Sequence, residues 1–168
     1  MTTQQSRAAS AYATVNLESR ATASGGADLV ILLIEGTLDR IRMAKAAMEQ
    51  RDIKEKIKHL NKALEIVAEG LRAHLNIKAG GEIATNLDDL YAYCSMRLLH
   101  ANLKNDTAAL DEVSGLLSPL LEAWTSIRNG GAAGQSLAEV SRALRSTVPS
   151  VQRLYGSSAY SRFASVGA

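Results

Sequence analysis

The chain has 168 residues, 46% apolar and 21% charged, with two prolines, Pro119 and Pro149. That is the size and composition of one helix-rich domain able to bury its own core, and it excludes a disordered or collagen-like chain. The net charge of +2 is uneven: beyond residue 127 stand Arg128, Arg142, Arg145, Arg153 and Arg162 against Glu139 alone, a surplus of four, so the preceding part is net negative by two and lacks the basic footprint of a nucleic-acid module.

Residues 1–26 are rich in Thr, Gln, Ser and Ala and end in Gly25 and Gly26. They predict an N-terminal arm, anchored by Tyr12, Val15 and Leu17, and they lack the charged start and long apolar stretch of a secretory signal. From Ala27 to Met48, residues Val30, Leu33, Ile34, Thr37, Ile41, Ala44 and Met48 follow the spacing of one helix face. The apolar run Leu29 to Ile34 is far short of the roughly 20 residues that cross a bilayer, so no membrane insertion is expected.

Asp52 is placed to cap a second helix, with the stripe Ile53, Ile57, Leu60, Leu64, Val67, Ala68, Leu71 and Leu75 toward the core and Lys54, Lys56, Lys58 and Lys62 on its wet face. Gly80 and Gly81 interrupt the pattern before Ile83, Leu87, Leu90, Cys94, Leu98 and Ala101 resume it in a third helix. Cys94 is the single cysteine; it excludes an intramolecular disulfide and fits a reducing, cytoplasmic compartment. Asp106 caps a fourth stripe, Leu110, Val113, Leu117, Leu120, Leu121 and Trp124, in which Pro119 predicts a kink.

Beyond Asn129, Gly130, Gly131 and Gly134 read as a flexible linker into a tail where Leu137, Val140, Leu144 and Val148 suggest one short amphipathic helix ended by Pro149. Four long helices with short connectors predict an all-α, antiparallel up-down four-helix bundle over 27–128, flanked by the arm 1–26 and the tail 129–168.

No catalytic constellation stands out. A metal site in such a bundle needs inward glutamates and Glu-x-x-His pairs, and His59, His74 and His100 have no such partner; they read as solvated or capping residues. Cys94 on an apolar face is an inert, buried thiol. The glycine pairs match no phosphate-binding pattern, and Asp88 with Asp89 reads as solvated surface charge. The sequence therefore predicts no enzyme, no metal and no cofactor.

What exceeds the needs of a bundle is apolar surface. On the third helix Ala92, Met96, Leu99 and Leu103 lie opposite the stripe centred on Cys94. At the start of the first, Leu29, Ile31 and Leu32 are extra to the core-facing set. Either the arm or the tail packs over these residues as ordinary core, or they form a groove for a partner helix; an arm that yields to a partner satisfies both.

The segment AYATVNLES at Ala11 to Ser19, GGEIATNLDDLYAY at Gly80 to Tyr93, RLLHANLKND at Arg97 to Asp106, then LDEVSGLL at Leu110 to Leu117 and Trp124, resembles the flagellin-specific export chaperones called FliS. The likeness covers roughly residues 10 to 127. It implies an antiparallel four-helix bundle in the cytosol that binds the disordered C-terminal segment of flagellin, prevents premature polymerisation and assists delivery to the flagellar export gate. It also implies that an arm tyrosine, here Tyr12, lies over part of the binding surface. Site residues expected on these grounds are Tyr12, Leu29, Leu32, Ala92, Met96, Leu99 and Leu103.

The chain departs from the family pattern at Gly26, where a proline is frequent, at Pro119, and in its longer tail. The stretch Leu137 to Leu144 is either disordered or an internal mimic of the partner, folded onto the groove. The alternative function is a helical adaptor or regulator that binds another secretion component or an anti-sigma factor.

Overall fold

The computed structural model describes the backbone of residues 24–131 and 133–148 and the side chains of 26–131 and 137–148. All its elements are helical: α1 Ser24–Glu49, α2 Ile53–Glu65 running on into a wide π-helical segment Ile66–Arg72, α3 Ile77–Lys104, α4 Thr107–Arg128 and α5 Ala133–Thr147. The all-helical bundle expected from the sequence is the architecture observed. α1 therefore starts three residues earlier than periodicity indicates, taking in Gly25 and Gly26.

α1 packs on α2 and α4, α2 on α3, and α3 on α4, so α1 and α3 occupy opposite corners. The three residues between α1 and α2 reach about 11 Å at most, against roughly 39 Å for the 26 residues of α1. Neighbours joined this way have to reverse direction.

Sequence explains where the helices stop and start. Three ends share one closure, in which a residue in the left-handed region lets the next N–H bond back five residues: Arg51 (φ 57°) with Asp52 N to Ala47 O at 2.8 Å, Asn105 (φ 50°) with Asp106 N to Ala101 O at 3.2 Å, and Gly130 (φ 84°) with Gly131 N to Ser126 O at 2.9 Å. The carboxylates of Asp52 and Asp106 then cap α2 and α4 by accepting from Glu55 N at 3.1 Å and Ala109 N at 3.2 Å, as their positions predicted. Asn76 caps α3 in the same way.

Two irregularities have identifiable causes. Gly81, at φ 54° and ψ −132°, holds a conformation open essentially to glycine and kinks α3 near its start. Gly70, inside the π segment, leaves room for Leu33 of α1, whose Cδ2 would lie 3.3 Å from a β-carbon there. Pro119, by contrast, sits inside one helix that runs from Thr107 to Arg128.

The core is a single cluster in which Ile34, Ile41, Leu60, Val67, Leu71, Leu90, Leu98, Leu110, Val113, Leu117 and Leu120 are fully buried. Two stretches of register differ from the sequence reading: Ile31 of α1, expected as surface extra to the core-facing set, is buried in the core, and the first turn of α2 is rotated. Ile53 and Ile57 face outward, 67% and 40% exposed, while Lys56 and His59 are buried. Lys56 was expected on the wet face. Its ammonium instead donates to Asn102 O at 3.0 Å and Asn105 Oδ1 at 2.8 Å, placing a cation on one of the last carbonyls of α3, with its stem packed beneath.

His59 is not solvated either. Its Nδ1 lies 3.1 Å from Arg40 Nη1 and its Nε2 3.2 Å from Glu55 Oε2. Arginine can only donate, so Nδ1 accepts and Nε2 carries the proton toward Glu55.

Candidate functional site

α3 is held by α2 and α4 along its length and by α5 near its start, which decides what its remaining face can do. Toward α2 the ties are Lys56 with Asn102 and Arg72 Nε with Asp88 Oδ1 at 2.8 Å. Toward α4, the Tyr93 hydroxyl donates to Glu112, which also takes Arg97 Nε at 2.6 Å. Burial, then the bond to Glu112, pushes the Tyr93 phenol up to about 12, so it stays a neutral donor. Cys94 faces the core, its thiol likewise raised to about 12 by burial, with no thiolate character at neutral pH.

The remaining side carries the expected stripe. Leu103 is 79% and Leu99 42% exposed, while Ala92 and Met96 are half-buried and Met96 rests against the core cluster. On α1, Leu32 is 63% exposed and Leu29 half-buried. The structure does not bring these two groups together: α1 and α3 sit at opposite corners, and only Leu32, Leu99 and Leu103 of the two stripes are exposed. Tyr12 lies outside the described residues.

The sequence reading missed Ile53 and Ile57, which it assigned to the core. The Lys56 bonds to Asn102 and Asn105 set the start of α2 beside the end of α3, so these two isoleucines share an end of the molecule with Leu99 and Leu103. They are two further exposed apolar side chains at that end. Met43, half-exposed on α1, adds to the outer face that carries Leu32.

Asp88 and Asp89 are not simple solvated charge. Asp88 pairs with Arg72, and the Asp89 carboxyl is raised from its ordinary value, mainly by burial and then by the neighbouring charge of Asp88. Among the described residues no group of three His, Cys, Asp or Glu side chains could hold a metal ion, and no helix is long and apolar enough to cross a membrane. What this surface offers is apolar contact.

A family model described as flagellar protein FliS matches residues 8–131. The chain is similar to the flagellar secretion chaperone FliS of Salmonella typhimurium, 44% identical over 117 residues that cover 70% of this chain and 87% of that one. It is 42% identical to the flagellar secretion chaperone FliSB of Pseudomonas aeruginosa over 116 residues, 69% of this chain and 91% of that one. With FliS of Vibrio cholerae the identity is 38% over 117 residues, 70% and 85% of the two chains. A match this long, spanning α1 to α4 and the exposed stripe, places the chain in the FliS family of flagellar secretion chaperones.

Proposed function

We propose that the protein is a cytosolic, non-enzymatic export chaperone that binds the disordered C-terminal segment of flagellin, holds it from polymerising and presents it to the flagellar export gate. The observation that carries this reading is the exposed row of Leu99 and Leu103, in line with Ala92 and Met96 on a helix whose other sides are tied down. A segment that cannot bury its apolar side chains alone gains by laying them on such a row.

Tyr12, Leu29, Leu32, Ala92, Met96, Leu99 and Leu103 form the partner surface in this reading, with Ile53 and Ile57 extending it. Because the Leu32 and Leu99 patches lie on separate corners, a segment that uses both wraps around the bundle. Burial of about 1,000 Å² of apolar surface contributes roughly 25 kcal/mol gross, much of which is offset by ordering the segment. The remainder is compatible with an affinity between micromolar and nanomolar, and release in this reading needs no nucleotide.

The test is seeded polymerisation of purified flagellin followed by light scattering. An equimolar amount of the chaperone is expected to suppress the rise in scattering. An unchanged polymerisation curve contradicts the proposed role.

A further inference from the structure

α5 lies beyond the family match, which ends at residue 131, yet it packs on both α3 and α4. Leu137, Ser141 and Leu144 of α5, and Val148 just past its end, are buried on its inner face, the spacing of an amphipathic helix lying in a groove. Asn86 of α3 is buried and takes side-chain partners from α5: its amide nitrogen lies 3.4 Å from Ser141 Oγ, and its carbonyl accepts from Arg145 Nη1 at 3.0 Å.

The seat is shallow. Fifteen residues are ordered in α5, but the large side chains that it and the following Val148 bury are Leu137, Leu144 and Val148, each still 7–9% exposed, whereas Leu98, Leu110, Leu117 and Leu120 of α3 and α4 are sealed completely. Ordering costs accumulate per residue while the gain scales with apolar area buried, so α5 is held less tightly than the bundle helices. It joins α4 through Gly130 and Gly131, the first in a left-handed conformation. On α3, Asn86 and Asp89 precede Ala92 by less than two turns, so a partner running along the exposed stripe reaches the seat without leaving that helix.

We propose that the α3/α4 groove is a helix-binding seat that α5 occupies in the free protein and vacates for an amphipathic helix of the flagellin C-terminal segment. The identity of the incoming helix rests on the functional reading above; occupation by α5 does not. While α5 is docked, the apparent affinity for the visitor falls in proportion to the fraction of open molecules.

Fluorescence anisotropy tests this with two labelled probes, a peptide of residues 133–148 and a synthetic flagellin C-terminal peptide. Each is titrated with the full chain and with the full chain carrying Leu137→Asp and Leu144→Asp, which alter α5 and leave the bundle residues intact. Both probes are expected to bind the double variant at least about tenfold more tightly than the unaltered chain, and to displace one another. Equal binding of the flagellin peptide to both forms overturns the competition, and failure of the 133–148 peptide to bind the variant overturns the seat. If the flagellin peptide binds neither form while the 133–148 peptide binds the variant, the seat is supported and flagellin is rejected as its visitor. Should the double variant lose its cooperative thermal transition, Arg145→Glu, which removes the bond to Asn86 and sets a negative charge near Asp88 and Asp89, is expected to act in the same direction by about threefold.

Discussion

Replacing Leu99 and Leu103 together by aspartate is expected to weaken binding of the flagellin C-terminal segment a hundredfold or more while leaving the bundle folded. Both side chains are exposed in the free protein, Leu103 at 79%, so the new carboxylates stay in water and cost little stability. On the proposed reading the partner segment covers the same positions in the complex. Losing two leucine contacts at about 1.5–3 kcal/mol each, with unpaired charges to desolvate as well, corresponds to a loss of at least two orders of magnitude in affinity. Affinity measured by anisotropy together with a thermal melt checks this. Loss of the fold instead would assign the two leucines to the core, and unchanged affinity would remove them from the partner surface. Leu98→Asp is the contrast: it differs by one position, but Leu98 is fully buried, and that change is expected to unfold the protein.

Leu60→Ala is expected to destabilise the bundle by about 3 kcal/mol and lower its melting temperature by roughly 10 °C. Leu60 has no exposure and lies in the single core cluster, so the truncation leaves a cavity that neighbouring helices cannot fill. Ile57→Ala, one turn earlier on the same helix, is expected to cost less than about 1 kcal/mol, because that side chain is already 40% exposed. Thermal or chemical denaturation of the two variants reads out the register of α2. Equal losses would restore Ile57 to the core.

That register shows where sequence reasoning stopped. The stripe from Ile53 to Leu75 gave the existence and inner face of α2, and Leu60, Val67 and Leu71 are buried as expected. Its first turn was misread because a lysine was assumed to face water. The carbonyl of Asn102 and the side chain of Asn105, which draw Lys56 inward, are 46 and 49 residues away in sequence and leave no trace in a local pattern. Caps at Asp52 and Asp106 were legible because they act within three residues.

The exposed stripe of α3, proposed above as the partner surface, was partly legible as an apolar face. Two apolar faces on α3 follow from spacing alone, and Leu99 with Leu103 is exposed. That the Leu32 patch lies on another corner required the packing of α1 against α2 and α4. The apolar stripe of α5 was visible, but not what receives it, since Asn86 meets Ser141 and Arg145 only in the folded chain. Polar docking of this kind follows no period.

On the proposed reading, exposed apolar helix surface on this bundle is reserved for a disordered partner segment. Calorimetric titration of the full chain with a synthetic flagellin C-terminal peptide at several temperatures tests it most directly. Saturable binding with a negative heat-capacity change, the mark of apolar burial coupled to ordering, is the predicted result. No heat at any temperature, with the bundle intact and both components soluble, would contradict the account.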